Sequence, residues 1–176
     1  MFSKLEILTG SPDETQKLGR TIGTIALEGD VVLLHGDLGA GKTCITQGIA
    51  EGLGVKEPVR SPTFMLVNEY QGRLKLYHAD FYRLDNLNEI WDLGIDEYIS
   101  GNGLFVVEWA EKGIDVFPEE HLVIKIINVD ENQRKFLISS MLLSLGFSKH
   151  SILIPRAGYF SPEKVISKVF KPFGAI

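Results

Sequence analysis

The chain has 176 residues, of which 44% are hydrophobic, and its formal net charge is −5. This length suits one domain with a sizeable core, and the sequence shows neither a bilayer-spanning apolar run nor a signal-peptide pattern. Cys44 is the single cysteine, which excludes an internal disulfide and favours a reducing compartment. We therefore expect a cytoplasmic protein without a membrane partner.

The first residues have the pattern of a β-α-β unit. Residues 4–9 alternate well enough to predict an edge strand, and Ser11 and Pro12 then supply the N-cap and first position of a helix. Residues 31–35, Val-Val-Leu-Leu-His, form a short apolar run that predicts the second strand.

The segment after this second strand fits the phosphate-binding loop pattern G-x-x-x-x-G-K-[ST] without a gap. Its residues are Gly36, Asp37, Leu38, Gly39, Ala40, Gly41, Lys42 and Thr43, and Cys44 follows inside the predicted helix. Glycines let backbone N–H groups converge on one anion, and a helix N-terminus adds partial positive charge there. Lys42 would then reach the β- and γ-phosphates of a nucleotide, and the Thr43 hydroxyl would bind the bridging Mg²⁺. Cys44 is interpreted as a small packed residue beside the nucleotide rather than a nucleophile.

The middle of the chain combines a hairpin with a broken helix. Residues 65–70 and 73–78 are typical of the two strands of a hairpin. Residues 85–99 predict a helix in two pieces, with the break at Gly94. The predicted buried positions of this helix are Leu87, Ile90, Trp91, Ile95 and Ile99.

Later strands complete the predicted domain. Residues 104–107 form another apolar run, and residues 122–129 and 134–140 are typical of a closing hairpin. Antiparallel strands within a β-α-β chain favour a mixed sheet over a purely parallel one. We therefore predict an α/β fold: a single P-loop NTPase-like domain over residues 1–146, with a mixed, mainly parallel sheet flanked by helices.

Residues 147–176 form a basic C-terminal extension, with 5 Lys and Arg residues against 1 Glu. The acidic remainder of the chain argues against a free-standing nucleic-acid binder. Residues 162–170 have an apolar face at helical spacing, so we expect them to form a helix. Because an apolar face is more stable when buried, we expect this helix to pack on this domain in preference to a partner protein.

Three polar positions are candidates for chemistry beside the loop. Glu108 ends an apolar strand, where a carboxylate is used to hold Mg²⁺, although such residues are often only solvated. Asp80 follows the second hairpin strand and is a candidate to orient or deprotonate an attacking water or to assist the metal. Alternatively, it only caps a turn. Thr63 has the place of either a switch-loop threonine or an ordinary turn residue.

The roles of two ring-bearing side chains, those of His78 and Trp109, are not decided by the sequence. His78 lies two positions before Asp80 and is interpreted as structural more readily than as functional. Trp109 follows Glu108 directly and fits either a core aromatic or a lid over the nucleotide.

Together these segments resemble the TsaE family, also known as YjeE, the small ATPases of bacterial tRNA threonylcarbamoyladenosine biosynthesis. The matching segments are residues 36–43, Ser61-Pro62-Thr63-Phe64, His78-Ala79-Asp80-Phe81-Tyr82-Arg83-Leu84, Leu93-Gly94-Ile95-Asp96-Glu97-Tyr98 and Val107-Glu108-Trp109. The resemblance covers roughly residues 4–140 and leaves the C-terminal extension unexplained.

The resemblance implies a Mg²⁺-dependent P-loop ATPase, with low activity when alone, that works with a TsaB-like and a TsaD-like protein. These proteins would together place a threonylcarbamoyl group on adenosine 37 of tRNAs that read ANN codons. The chain would thus meet tRNA indirectly, through the complex.

The resemblance also implies roles for individual residues. Thr43 and Glu108 would serve the metal, and Lys42 would hold phosphate together with the loop backbone. The residues implied at the γ-phosphate are Thr63 and Asp80. Further implied nucleotide contacts are Asp13 or Thr15 at the start of the first helix and Arg134 in the last hairpin. Trp109 is added to the candidate nucleotide contacts in its alternative role as a lid, from its place beside Glu108.

Two other functions stay open from the residues alone. A small-molecule kinase would need a second substrate pocket and an arginine-bearing lid, for which Arg83 is the nearby arginine. A nucleotide-binding regulatory module without turnover would carry the same loop. A GTPase is disfavoured because no [NT]-K-x-D guanine-reading segment follows the loop.

Overall fold

The structure is a computed structural model that describes residues 4–140. The helix predicted over residues 162–170 and the boundary predicted at residues 146 and 147 lie outside this range. The strands are β1 (Lys4–Thr9), β2 (Val31–His35), β3 (Val67–Tyr70), β4 (Lys75–Asp80), β5 (Gly103–Glu108), β6 (Leu122–Asn128) and β7 (Arg134–Ser140). The helices are α1 (Pro12–Ile25), α2 (Lys42–Gly52), α3 (Leu87–Asp92), α4 (Ile95–Ile99) and a 3-10 helix (Ala110–Val116).

The seven strands form one mixed sheet in the order β1-β7-β6-β2-β5-β4-β3. β2 pairs in parallel with both β5 and β6, and β4 pairs in parallel with β5. The β3–β4, β6–β7 and β1–β7 pairs are antiparallel, so only β3 and β7 run against the other strands. The prediction of a mixed, mainly parallel sheet flanked by helices is confirmed. The carboxyl ends of β2, β4 and β5 consequently meet at one edge of the sheet.

The central strand β2 buries both of its faces. Val32 and Leu34 pack with α1 and α2, whereas Val31 and Leu33 pack with the residues of α3, α4 and the 3-10 helix. Helices on both faces explain why this strand is apolar throughout rather than alternating. The hydrophobic core therefore has two layers, one on each side of the sheet.

Helix α1 packs very closely on α2 because glycines face each other across the contact. A Cβ added at Gly23 would lie 2.1 Å from the backbone oxygen of Ile49, and one at Gly48 would lie 2.1 Å from that of Gln16. Gly19 and Gly52 leave equally little room. This packing fixes the start of α1 beside the start of α2.

The β3–β4 hairpin is also attached to α1. The Arg73 guanidinium donates to the backbone oxygens of Gly23, at 2.5 Å, and Ala26, at 2.7 Å. These bonds satisfy carbonyls that the end of a helix leaves without partners. Both strands start two residues later than predicted, and because β3 still ends at Tyr70, the hairpin loop is two residues longer than predicted.

The prediction of buried residues on the broken helix is partly wrong. Ile90 and Ile95 are buried, but Leu87 is 41% exposed and Trp91 is 46% exposed. A helix of only six residues turns fewer than two times, so it presents little more than Ile90 to the sheet. None of the helices within residues 4–140 is long and apolar enough to cross a bilayer.

Candidate functional site

The candidate site lies where β2 ends and the glycine-rich loop leads into α2. Gly36 has φ 152° and Gly41, the N-cap of α2, has φ 107°. A side chain at Gly36 would also clash, because a Cβ there would lie 2.7 Å from the backbone oxygen of Ile126. Gly41 gives α2 no side-chain cap, so its first N–H groups are free to bind an anion.

Beside this loop is an open cavity of about 410 Å³. The residues that line it are Leu38, Gly39, Gly41, Lys42, Thr43, Cys44, Ser61, Thr63, Asp80, Tyr82, Glu108 and Trp109. Most of the residues predicted for phosphate, metal and catalysis thus lie around one space. A larger groove of about 540 Å³ lies along residues 55–60 and the later part of α2, and none of these site residues lines it.

Thr43 and Glu108 are in direct contact. The Thr43 hydroxyl donates to Glu108 Oε1 over 2.8 Å, and Glu108 is only 3% exposed. The parallel pairing of β2 with β5, which sets Leu34 opposite Glu108, brings the strand end to the loop. A hydroxyl and a carboxylate are oxygen ligands of the kind that Mg²⁺ prefers.

A cation at this point would need further ligands from phosphate or water. Within residues 4–140, no cluster of three or more His, Cys, Asp or Glu side chains could hold a metal ion. Mg²⁺ commonly keeps several waters and takes one or two protein oxygens together with substrate phosphates. The Thr43–Glu108 pair fits that mode of binding.

His78 contacts the same carboxylate oxygen from inside the sheet. Its Nε2 lies 2.9 Å from Glu108 Oε1, and the side chain is fully buried. Its other ring nitrogen, Nδ1, is buried without a hydrogen-bond partner among the described residues. Leaving a buried polar atom unpaired costs about 1–3 kcal/mol, so this position is an unfavourable one for a merely packed histidine.

Asp80, the last residue of β4, binds the loop that contains Ser61 and Thr63. Its Oδ2 accepts hydrogen bonds from the Ser61 hydroxyl at 2.7 Å and the Thr63 hydroxyl at 3.3 Å. Its Oδ1 accepts from the backbone N–H of Tyr82 at 2.9 Å, so Asp80 also caps the following turn. Ser61 is the residue that the sequence interpretation missed, although its hydroxyl stands two positions before that of Thr63.

Lys42 is held between the loop and an aromatic ring. Its Nζ donates to the backbone oxygens of Gly36 and Asp37 at 2.6 and 2.9 Å, and it lies 3.7 Å from the centre of the Trp109 ring. Burial lowers the pKa of the Lys42 ammonium, and the Glu108 carboxylate partly opposes this. Trp109 has φ 58°, and its ring also contacts that of Tyr82. The ring thus forms one wall of the cavity. This position is neither fully that of a core aromatic nor fully that of a lid.

The remaining predicted nucleotide contacts lie around Cys44. Arg134 and Asp13 are close enough to shift its pKa in opposite directions, although burial, which raises this pKa, has the larger effect. Thr15 is 2% exposed, and its hydroxyl is 2.9 Å from that of Thr9. Asp13 is exposed, so of the two alternatives it is the residue with the freer side chain.

The sheet order, with a glycine-rich loop between its central strand and α2, defines an α/β domain of the phosphate-loop class. The family model described as "Threonylcarbamoyl adenosine biosynthesis protein TsaE" matches residues 9–136. The chain therefore belongs to the TsaE family, whose members take part in the biosynthesis of threonylcarbamoyladenosine in tRNA.

Individual relatives agree with this assignment. The tRNA threonylcarbamoyladenosine biosynthesis protein TsaE of Bacillus subtilis (strain 168) is 42% identical over 141 residues, which are 80% of this chain and 88% of the relative. The protein of the same name from Treponema pallidum (strain Nichols) is 38% identical over 135 residues, 77% of this chain and 100% of the relative. The crystal structure of YdiB from Bacillus subtilis aligns with a TM-score of 0.70 and 38% identity, covering 80% of this chain and 88% of that one.

Proposed function

We propose that this chain is the ATP-binding and ATP-hydrolysing subunit that threonylcarbamoyl modification of adenosine 37 requires in tRNAs reading ANN codons. It would act in the cytoplasm with a TsaB-like and a TsaD-like protein. The observation that carries the proposal is the contact between Thr43 and Glu108 at the phosphate loop. That contact joins the two residue types that hold Mg²⁺ on a nucleotide in phosphate-loop proteins.

The proposed roles follow from where the side chains lie. The loop backbone and Lys42 would bind the phosphates, and Thr43 and Glu108 would hold Mg²⁺, which would supply charge neutralisation at the phosphate oxygens. Trp109, Cys44, Asp13 and Arg134 border the rest of the nucleotide. Asp80 and Thr63 line the same cavity as the loop and are proposed to act at the γ-phosphate.

The hydrogen bonds of Asp80 support the idea that the chain alone turns over slowly. A carboxylate that accepts two hydroxyls and a backbone N–H has little remaining capacity to orient a water. A partner that moves the loop containing Ser61 and Thr63 would free Oδ2. The partners would in this way complete the site rather than only bind beside it.

ATP hydrolysis measured with and without the two partner proteins, Mg²⁺ and tRNA tests the proposal. We expect slow turnover alone, a large increase with both partners, and loss of that increase in Glu108→Gln. The exposed Glu119 provides a matched control, Glu119→Gln, which should behave as the unmodified chain. Transfer of phosphate to a small molecule would favour the kinase, and binding without turnover under all conditions would favour the regulatory module.

A further inference from the structure

Among the described residues, the side chain of His78 forms one hydrogen bond, to the carboxylate of the proposed metal site. The residue lies on β4, opposite Val106 of the parallel neighbour β5, and its Nε2 is 2.9 Å from Glu108 Oε1. Because an ionised carboxylate only accepts hydrogen bonds, Nε2 must carry the hydrogen and donate it. The tautomer of His78 is thereby fixed by Glu108.

Packing alone does not explain a histidine at this place. Its Nδ1 is buried and has no partner among residues 4–140, whereas Nδ1 of His121 lies 2.6 Å from the backbone oxygen of Pro118. A leucine would fill similar space without an unpaired nitrogen, and buried polar atoms are nearly always paired. The bond from Nε2 to Glu108 is the one favourable polar contact of the His78 ring with the described part of the chain.

We infer that His78 is a positioning residue for Glu108. The Thr43 hydroxyl and His78 Nε2 both donate to Oε1, over 2.8 and 2.9 Å. Two donors on one oxygen fix the carboxylate, so that Oε2 is the oxygen available to the cavity that Glu108 lines. The inference rests on the proposed function, since it assigns to Oε2 the contact with Mg²⁺ or its waters.

The first test needs no ligand and uses the unmodified chain. Long-range ¹H–¹⁵N correlation spectra report the tautomer of each of the 4 histidines, and the signal lost in His78→Gln identifies His78. We expect the form protonated at Nε2, with a clear change of its nitrogen shifts in Glu108→Gln. The inference would be overturned if His78 were protonated at Nδ1, or if its nitrogen chemical shifts were the same in Glu108→Gln as in the unmodified chain.

The second test measures the metal. Mn²⁺ binding in the presence of ADP is followed by electron paramagnetic resonance for the unmodified chain, His78→Leu, His78→Gln and the control His121→Gln. Removing a partner of a metal-binding carboxylate typically costs 10-fold or more in affinity, so we expect about a tenfold weaker Mn²⁺ affinity in His78→Leu. His78→Gln, which keeps an N–H donor, should restore most of it, and His121→Gln should have no effect.

A double-mutant cycle distinguishes positioning of Glu108 by His78 from a general loss of stability. In a Glu108→Gln background, His78→Leu should weaken Mn²⁺ binding no further, because the carboxylate through which His78 acts is already absent. ADP affinity measured in EDTA should be equal in all variants. A lower melting temperature of His78→Leu with unchanged Mn²⁺ affinity would show a purely structural histidine and refute the inference. If the unmodified chain binds no Mn²⁺ with ADP, the proposed function fails, and the spectra of the first test alone decide whether His78 positions Glu108.

Discussion

Gly48 of α2 lies directly against the backbone of Gln16 in α1, so closely that a Cβ would come within 2.1 Å of the Gln16 backbone oxygen. This contact connects the helix of the phosphate loop to the first helix of the chain. A backbone atom cannot move aside as a flexible side chain would, so the two helices must separate to admit even one methyl group.

We therefore predict that Gly48→Ala lowers the free energy of unfolding by about 1–3 kcal/mol, the usual cost of overpacking a core. Urea unfolding followed by circular dichroism measures this. Gly10→Ala is the matched control, because a Cβ there would meet only Glu14 Oε2 at an ordinary 3.7 Å. Equal stability of the two variants would mean that the helices adjust at no cost.

Local patterns were sufficient to predict much of this fold. The N-cap at Ser11, the edge strand β1 and the closing hairpin of β6 and β7 are where the sequence places them. Each of these depends on residues close together in the chain, or on alternation that a short window shows. Thr43 and Glu108 were predicted to serve one metal ion, and their side chains are in contact where β5 ends and α2 begins.

Features that depend on distant segments were not predicted. Trp91 was predicted to be buried from its helical spacing, but Ile90 is the buried residue of α3 and Trp91 is 46% exposed. The bond from Ser61 to Asp80 joins residues 19 positions apart, and the bond from His78 to Glu108 joins residues 30 apart. No local window contains both partners, so only the assembled sheet reveals them.

For Lys42→Ala, we predict a loss of nucleotide affinity greater than about tenfold, because a charge-assisted contact to phosphate contributes about 1.5–3 kcal/mol. Isothermal titration with ADP measures the loss. Lys42 is only 4% exposed and bonds to the loop backbone, so a small decrease in melting temperature is expected as well. The exposed Lys125 gives the control variant Lys125→Ala. Unchanged ADP affinity would show that Lys42 does not contribute to nucleotide binding.

The thiol of Cys44 offers a reporter of the nucleotide site, since it is the single cysteine of the chain. Burial raises its pKa, which reduces the thiolate fraction near neutral pH. Alkylation by iodoacetamide should therefore be slower than for a free cysteine and should accelerate as the pH rises toward the raised pKa. Because Cys44 lines the cavity, ADP should slow the reaction further. A rate that ADP leaves unchanged would place the nucleotide elsewhere.

For Asp80→Asn, we predict that ATP binding survives and partner-stimulated hydrolysis falls by about 100-fold or more, the usual effect of removing a group that handles the attacking water. Equilibrium binding of ATP and steady-state hydrolysis, measured on the same preparations, separate the two effects. Asp92→Asn, at an exposed position of α3, is the matched control. If ATP affinity falls as far as turnover, Asp80 instead stabilises the bound ground state.

Ser61→Ala tests the other side of the same contact. The Ser61 hydroxyl is 2.7 Å from Asp80 Oδ2 and 2.8 Å from the Thr63 hydroxyl. Of the two hydrogen bonds that Asp80 Oδ2 accepts from hydroxyls, the one from Ser61 is therefore the shorter. Removing it leaves Asp80 held by Thr63 at 3.3 Å, which is a weaker hydrogen bond. If partners act by releasing Oδ2, the variant should hydrolyse ATP several-fold faster than the unmodified chain when both are alone, while the rate with partners changes little. A slower rate alone would instead mean that Ser61 holds Asp80 in its working position, and that the partners act somewhere other than this loop.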